Sequence, residues 1–360
     1  MSVRVAIVGL GWAGRELWLP LLTEHADFEV VAVTDTEPAA REAFGVVPGI
    51  PVYATLDALT PRSIDLAVVA VPNYLHAEVA ATLLGKGVSV FLEKPVCLTS
   101  DEAETLAAAE RSGGAMLLAG SAAPYRSDVG ALARLVPDLG HIRHVDLSWV
   151  RARGIPKAGG WFTQRSKAGG GVLFDLGWHL LDTLASLLGP ARFAEVVGVT
   201  ANDFVNVVSW SAAWRHDQPV TDADGDVEDT ARGFLVREDG VSVALHASWA
   251  SHEARDVSRI QVVGSDGTAE LRCTFGFSPN RHPESVLTLT REGITMPVPV
   301  PDEPIGNEYR RQLDGLAAVL ADPGNRGRAI GEARTTVRVI EDFYASARSA
   351  RAGNAVPAYR

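Results

Sequence analysis

Lysine is nearly missing from this 360-residue chain: Lys86, Lys94, Lys157 and Lys167 stand against 29 arginines. The ordinary exposed cation is therefore Arg, and a lysine in an unusual place needs a reason. Cysteine is as scarce. Cys97 and Cys273 are the whole supply, far apart and without metal-ligand spacing. That excludes a disulfide framework, offers no zinc or other metal site, and favours a reducing compartment. No basic stretch offsets the net charge of −11, which excludes a general nucleic-acid or anionic-membrane binder. No run approaches the ~18 apolar residues of a membrane span, and the apolar start at 3–8 is too short for a signal peptide. The expected location is the cytoplasm.

What is present is ordinary for a soluble globular protein, with 47% hydrophobic and 21% charged residues. The length exceeds what one core usually serves, so two domains are expected, 1–122 and 123–360. The first alternates apolar runs at 3–8, 28–34, 66–71, 88–92 and 115–119 with helical patterns near 13–24, 38–44, 75–86 and 100–113. This alternation is the signature of a parallel α/β sheet. Thr99-Ser100-Asp101-Glu102 reads as a capped start for the last helix. Beyond residue 141, strand-like runs follow one another at 142–151, 193–201, 205–213, 230–237, 241–250, 258–264 and 268–274. Asp239-Gly240 and Asp266-Gly267 separate several of them, as in an antiparallel meander. Helices are expected around 172–188, 306–322 and 330–349, and the acidic stretch 222–229 reads as a solvated loop leading into a strand.

Three segments carry chemistry. Gly9-Leu10-Gly11-Trp12-Ala13-Gly14 follows a strand and opens a helix, the context that gives a glycine hexad its meaning. Gly9 suits the tight turn, Gly11 the approach of a pyrophosphate, and Gly14 close helix–strand packing. Asp35 ends the second strand and can accept from ribose hydroxyls while repelling a 2′-phosphate. NAD is thus the expected cofactor, with NADP left open by Thr36 and Arg41. Second, Asp175 and His179 lie four apart on a predicted helix after Gly169-Gly170-Gly171 and so share a face. Histidine suits proton transfer near neutral pH. The glycines imply a backbone pressed against either a ligand or another strand. Third, Phe91-Leu92-Glu93-Lys94-Pro95 puts the rare lysine at a strand end, and Pro72-Asn73-Tyr74-Leu75-His76 follows another strand. On its own, Lys94 reads as a snorkelling side chain and Asn73 as an N-cap.

Taken together, these motifs resemble the Gfo/Idh/MocA oxidoreductases, relatives of glucose–fructose oxidoreductase and inositol dehydrogenase. The resemblance spans the chain. It takes in Gly9–Gly14, Pro72-Asn73-x-x-His76, Glu93-Lys94-Pro95, Gly170-Gly171 through Asp175 and His179 to Asp182, Val227-Glu228-Asp229, and the closing Ile340-Glu341-x-x-Tyr344 helix. It implies a Rossmann domain followed by an α+β domain with a large, mostly antiparallel open sheet. That sheet would serve a homodimer or homotetramer, and the closing helices could pack back on the first domain. It also implies an NAD(P)-dependent dehydrogenase or reductase of a sugar, cyclitol or related polyhydroxy compound. Cofactor contacts carry onto Gly9, Gly11, Trp12, Ala13, Gly14, Asp35, Thr36, Pro72, Asn73, His76, Glu93 and Lys94. His179 would be the general acid/base, Lys94 would stabilise the reacting oxygen, and Asp175 would position a neighbouring hydroxyl. Relatives also include reductases of keto- or amino-sugars, NAD-assisted glycosidases and non-catalytic regulators. The chain departs from the family at Pro124-Tyr125-Arg126-Ser127, which puts Tyr125 at the expected aromatic position. Arg153 and Trp161 precede the catalytic helix and are candidate pocket residues, although solvation explains the arginine equally well.

Overall fold

The computed structural model describes residues 2–47, 49–156, 159–212 and 224–353, with side chains to residue 350. The chain divides into two compact units, Met1–Ala122 with Tyr309–Arg334 and Ala123–Glu308 with Thr335–Arg360.

The first unit holds β1 (Val3–Val8), β2 (Phe28–Thr34), β3 (Val52–Tyr53), β4 (Leu66–Val69), β5 (Ser89–Glu93) and β6 (Leu117–Gly120). They pair in the order β3-β2-β1-β4-β5-β6, and every pairing is parallel. This is the doubly wound dinucleotide-binding topology, whose switch point falls between β1 and β4. The central strands are unbroken apolar runs because both faces are covered: Val5 to Val8, Leu66 to Val69 and Val90 to Leu92 are all buried. The Ser100–Gly113 helix starts as its sequence implies. Thr99 Oγ1 accepts from Glu102 N at 3.1 Å, and the Glu102 carboxylate accepts from Leu98 N at 2.6 Å. β3 has only two residues and carried no readable pattern.

The second unit is built on β7 (Ile142–Val150), β8 (Phe193–Ala201), β9 (Thr230–Arg237), β10 (Ser242–Ser248), β11 (Val257–Gly264), β12 (Thr268–Cys273), β13 (Val286–Arg291) and β14 (Ile294–Val298). Their order is β14-β13-β12-β11-β7-β10-β9-β8, antiparallel except where β10 runs parallel to β7. Val145, Leu147 and Trp149 of β7 point into the core with Val243, Leu245, Ile260 and Leu271. Opposite each other on β8 and β9, Gly198 and Gly233 leave room for the ring of Phe343 from the last helix, Arg328–Gly353. On the other face of the same two strands Val197, Val199 and Phe234 are exposed.

The structure corrects three readings. Residues 205–212 form no strand; residue 213 lies outside the described residues. The amides of Phe204 and Val205 donate to the Asp229 carboxylate at 2.5 and 3.0 Å, and the Phe204 and Trp210 rings pack 4.5 Å apart around a short 3₁₀ turn, Val208–Trp210. The apolar alternation there comes from a compact aromatic loop. β13 and β14 went unread because β13 buries only Leu287, while β14 is largely exposed and carries Pro297, features of a sheet edge. The described part of the acidic stretch is not simply solvated, since Glu228 and Asp229 are 2% and 0% exposed. The stretch Arg165–Leu188 is apolar and long, and 78% of its most apolar window is buried, as befits a core helix.

Candidate active site

Each glycine of the first turn has its own reason. Gly9 has φ +98°, and a Cβ there would stand 2.6 Å from the Ala70 carbonyl oxygen at the end of β4. A Cβ on Gly14 would run into the Gly9 carbonyl. Gly11 differs: its Cβ would meet no protein atom within 4 Å. The fold demands the first and last glycines; only something outside the protein would demand the middle one. Asp35 closes this turn, accepting from Leu10 N at 2.7 Å and Glu37 N at 2.8 Å. Nearby, Arg41 donates to the carbonyls of Asp35 and Thr36 at 2.7 and 2.8 Å, so one end of its guanidinium is tied to the loop. The open space over Gly11 and the adjacent carboxylate fit a dinucleotide with free ribose hydroxyls.

At the end of β5, Glu93 turns inward. Its carboxylate accepts from Trp18 Nε1 at 2.7 Å and from Lys94 N at 3.0 Å, which anchors the backbone that carries Lys94. Burial pushes the Glu93 carboxyl up, against the pull of the Lys94 charge and the two donors. Trp18 is fully buried, edge-on to Phe91 at 4.9 Å and to Tyr309 at 5.7 Å. It sits at the end of a widened π-type turn, Ala13–Trp18, that follows the glycines. The imidazole of His76 is buried between the carbonyls of Pro95 (2.7 Å) and Val71 (2.8 Å), tying the loop after β4 to the loop after β5. Burial lowers its pKa against those carbonyls, with a further push from the Lys94 charge. Both ring nitrogens are thus engaged by protein, so His76 supports the Lys94 loop. Asn73 is buried in the short turn Asn73–Leu75, behind Pro72.

In the second unit, Asp175 lies in another π-type turn, Leu173–Gly177, which runs directly into the helix Trp178–Leu188 bearing His179. Both side chains are buried, Asp175 to 4% and His179 to 9% exposure. Asp175 Oδ2 accepts from Trp249 Nε1 at 2.9 Å, and the His179 ring lies 5.6 Å from that of Trp149. The turn Ala123–Tyr125 packs against the same helix and leaves Tyr125 42% exposed. The Trp161 and Phe162 rings meet tilted at 4.7 Å, and Phe162 approaches Trp249 at 6.2 Å, so an aromatic row leads to Asp175. Arg153 is exposed and lies over the Trp210 ring at 5.3 Å.

The structure therefore groups Gly9–Gly14 with Asp35, and Glu93 and Lys94 with His76, in the first unit. Asp175, His179, Tyr125 and Trp161 gather in the second. Trp18, Trp149 and Trp249 were not singled out from sequence, because a tryptophan at apolar spacing reads as core. Their indole partners are set by tertiary contacts.

A parallel sheet with a ligand-shaped glycine turn, followed by a mixed sheet whose helix buries an Asp/His pair, defines an oxidoreductase of the dinucleotide-dependent class. Residues 3–121 match the family described as "Oxidoreductase family, NAD-binding Rossmann fold", and residues 137–270 match "GFO/IDH/MocA C-terminal domain". The chain belongs to the Gfo/Idh/MocA oxidoreductases. It is 72% identical over 360 residues, the full length of both chains, to a protein of Amycolatopsis mediterranei named "Putative UDP-kanosamine synthase oxidoreductase subunit". It is 27% identical over 355 residues to inositol 2-dehydrogenase of Rhizobium meliloti, covering 95% of this chain and 98% of that one. The fold also matches the crystal structure of aldose–aldose oxidoreductase from Caulobacter crescentus, with TM-score 0.77, 23% identity, and coverage of 98% and 99% of the two chains.

Proposed function

We propose that this protein uses NAD to oxidise one hydroxyl of a UDP-linked hexose to the ketone. The observation that carries the substrate class is the full-length 72% identity to a protein named for a UDP-linked amino sugar. An amine is placed on a hydroxylated sugar carbon by way of the ketone, so an oxidoreductase working with an aminating enzyme has this task. His179 takes the hydroxyl proton; its buried place beside Trp149 keeps water away from the transfer. Asp175, held by Trp249, orients a neighbouring hydroxyl, and the Lys94 ammonium stabilises the reacting oxygen. Bound NAD would supply the hydride acceptor. Asp35 favours that cofactor over NADP, since its carboxylate repels a 2′-phosphate. Tyr125, Trp161 and Arg153 are the proposed sugar-side contacts. The exposed face at Val197, Val199 and Phe234 is the proposed self-association surface, and two buried cysteines outside any disulfide accord with a cytoplasmic enzyme.

The test is UDP-glucose with NAD or NADP, beside free sugars and cyclitols, followed by absorbance of the reduced cofactor. NAD-dependent turnover of UDP-glucose is expected, with His179→Ala and Lys94→Ala at least ~100-fold slower and cofactor affinity kept within about tenfold. Turnover of a free cyclitol alone, or a clear NADP preference, would replace this reading. Normal turnover by both variants would remove the assigned mechanism.

A further inference from the structure

We infer that Glu228 is a positioning residue for the reaction, holding the first turn of the helix that carries Asp175 and His179. The inference rests on the assignment of those two residues to the chemistry. Three successive amides at the start of that helix go to this one residue. Gly171 N and Leu173 N donate to Glu228 Oε1 at 2.9 and 3.2 Å, and Val172 N donates to the Glu228 carbonyl at 3.1 Å. These are donors a helix cannot satisfy from within, and they sit at its positive end.

The carboxylate is itself held in place. Tyr344 Oη donates to Oε1 at 2.6 Å, and Arg165 donates to Oε2 at 3.1 Å while its guanidinium covers the Tyr344 ring at 5.1 Å. Glu228 is 2% exposed, so its charge depends on these donors in place of water. The glycine run before the helix is explained by the same residues. A Cβ on Gly170 would strike the Tyr344 hydroxyl, and one on Gly171 would strike the Glu228 carbonyl. That glycine-rich helix start is filled by protein and is not a phosphate cradle.

Transmission to the reacting groups is short. Asp175 N donates to Gly171 O at 3.1 Å, so a shift of Gly171 reaches Asp175 within one turn and His179 within the next. The neighbouring residue acts from the other side: Asp229 O accepts from Trp249 N at 2.8 Å, and the Trp249 indole holds Asp175 Oδ2. Glu228 and Asp229 thus fix Asp175 through its backbone and through its side chain.

The experiment compares Glu228→Gln, Tyr344→Phe, the double variant and His179→Ala as full-length protein with NAD and UDP-glucose. Loss of position affects the transition state more than ground-state binding. Glu228→Gln should lower kcat roughly 10- to 30-fold with KM and NAD affinity within about threefold. Tyr344→Phe should lower kcat roughly three- to tenfold, and the double variant should fall short of the product of the two effects because they act through one carboxylate. Amide exchange at Gly171 and Leu173 needs no substrate and should quicken at least about tenfold in Glu228→Gln. Wild-type kcat per folded molecule in both single variants, or unchanged exchange at those amides, overturns the inference. Activity surviving in His179→Ala instead removes the underlying assignment, a separate and distinguishable result.

Discussion

Two glycine-rich segments open two helices in this molecule, and the same composition serves opposite ends. At Gly9–Gly14 the outer glycines fit the protein to itself, while the space over Gly11 holds no protein atom. At Gly170 and Gly171 the space is taken by the Tyr344 hydroxyl and the Glu228 backbone. Each segment leads into a π-type turn, and each has a carboxylate that accepts from amide N–H groups there, Asp35 from Leu10 in one and Glu228 from Gly171 and Leu173 in the other. A glycine required by a ligand and a glycine required by packing cannot be told apart in sequence. The difference is whether a Cβ would meet solvent or protein.

Substitution of the glycines should separate the two most sharply. Gly171→Ala drives a Cβ into a backbone carbonyl that cannot move cheaply and should cost at least about 3 kcal/mol of stability, seen as a fall in the denaturation midpoint with or without NAD. Gly11→Ala should leave the denaturation midpoint alone and weaken NAD by roughly thirtyfold, about 2 kcal/mol, in a binding titration. Were Gly11→Ala to unfold the protein, or Gly171→Ala to change only cofactor affinity, the contrast would be lost.

The units also differ in how they bury charge. In the second, Arg126 grips Asp128 through bonds of 3.0 and 2.7 Å, with both side chains buried. Burial pushes the Asp128 carboxyl up, but the Arg126 charge and hydrogen bonds outweigh it, so the folded protein holds Asp128 below the usual aspartate range. A depressed folded pKa gives stability that is present above the unfolded value and lost as pH falls through the folded one. Thermal midpoints should therefore drop below about pH 4. In Asp128→Asn that drop should be shallower, from a lower start near neutrality because the buried Arg126 keeps only the more distant Glu308, at 3.7 Å. A steeper acid limb in the variant would contradict this. In the first unit Trp18 offers a smaller test. Trp18→Phe removes one donor from the Glu93 carboxylate and should cost about 1–2 kcal/mol, with turnover down roughly threefold because Lys94 N shares that carboxylate. Unchanged stability and rate would show that Glu93 does not depend on the indole.

Much of the frame is legible along the chain. The parallel strands, the capped helix at Ser100, the turn at Asp239-Gly240 and the family motifs are local patterns in which propensity and periodicity agree with the fold. The motifs proposed for the site are equally local, since Gly9–Gly14, Lys94, Asp175 and His179 each lie in a compact stretch of sequence. What was misread involved distant partners. Residues 205–212 look like a strand until Asp229 claims the amides of Phe204 and Val205. Glu228 looks like a solvated acid until Gly171, Leu173, Tyr344 and Arg165 surround it.

Sequence alone thus determined the class of domain, most of the order of the elements and the candidates for hydride-linked proton chemistry, because backbone periodicity and side-chain chemistry are properties of short segments. Tertiary structure alone decided which glycine run faces a ligand, which carboxylates are buried and which tryptophans hold them. Those properties depend on atoms brought together from far along the chain: Trp18 meets Glu93, Trp249 meets Asp175, and Tyr344 meets Glu228. Burial and hydrogen-bond satisfaction are decided only when such partners meet.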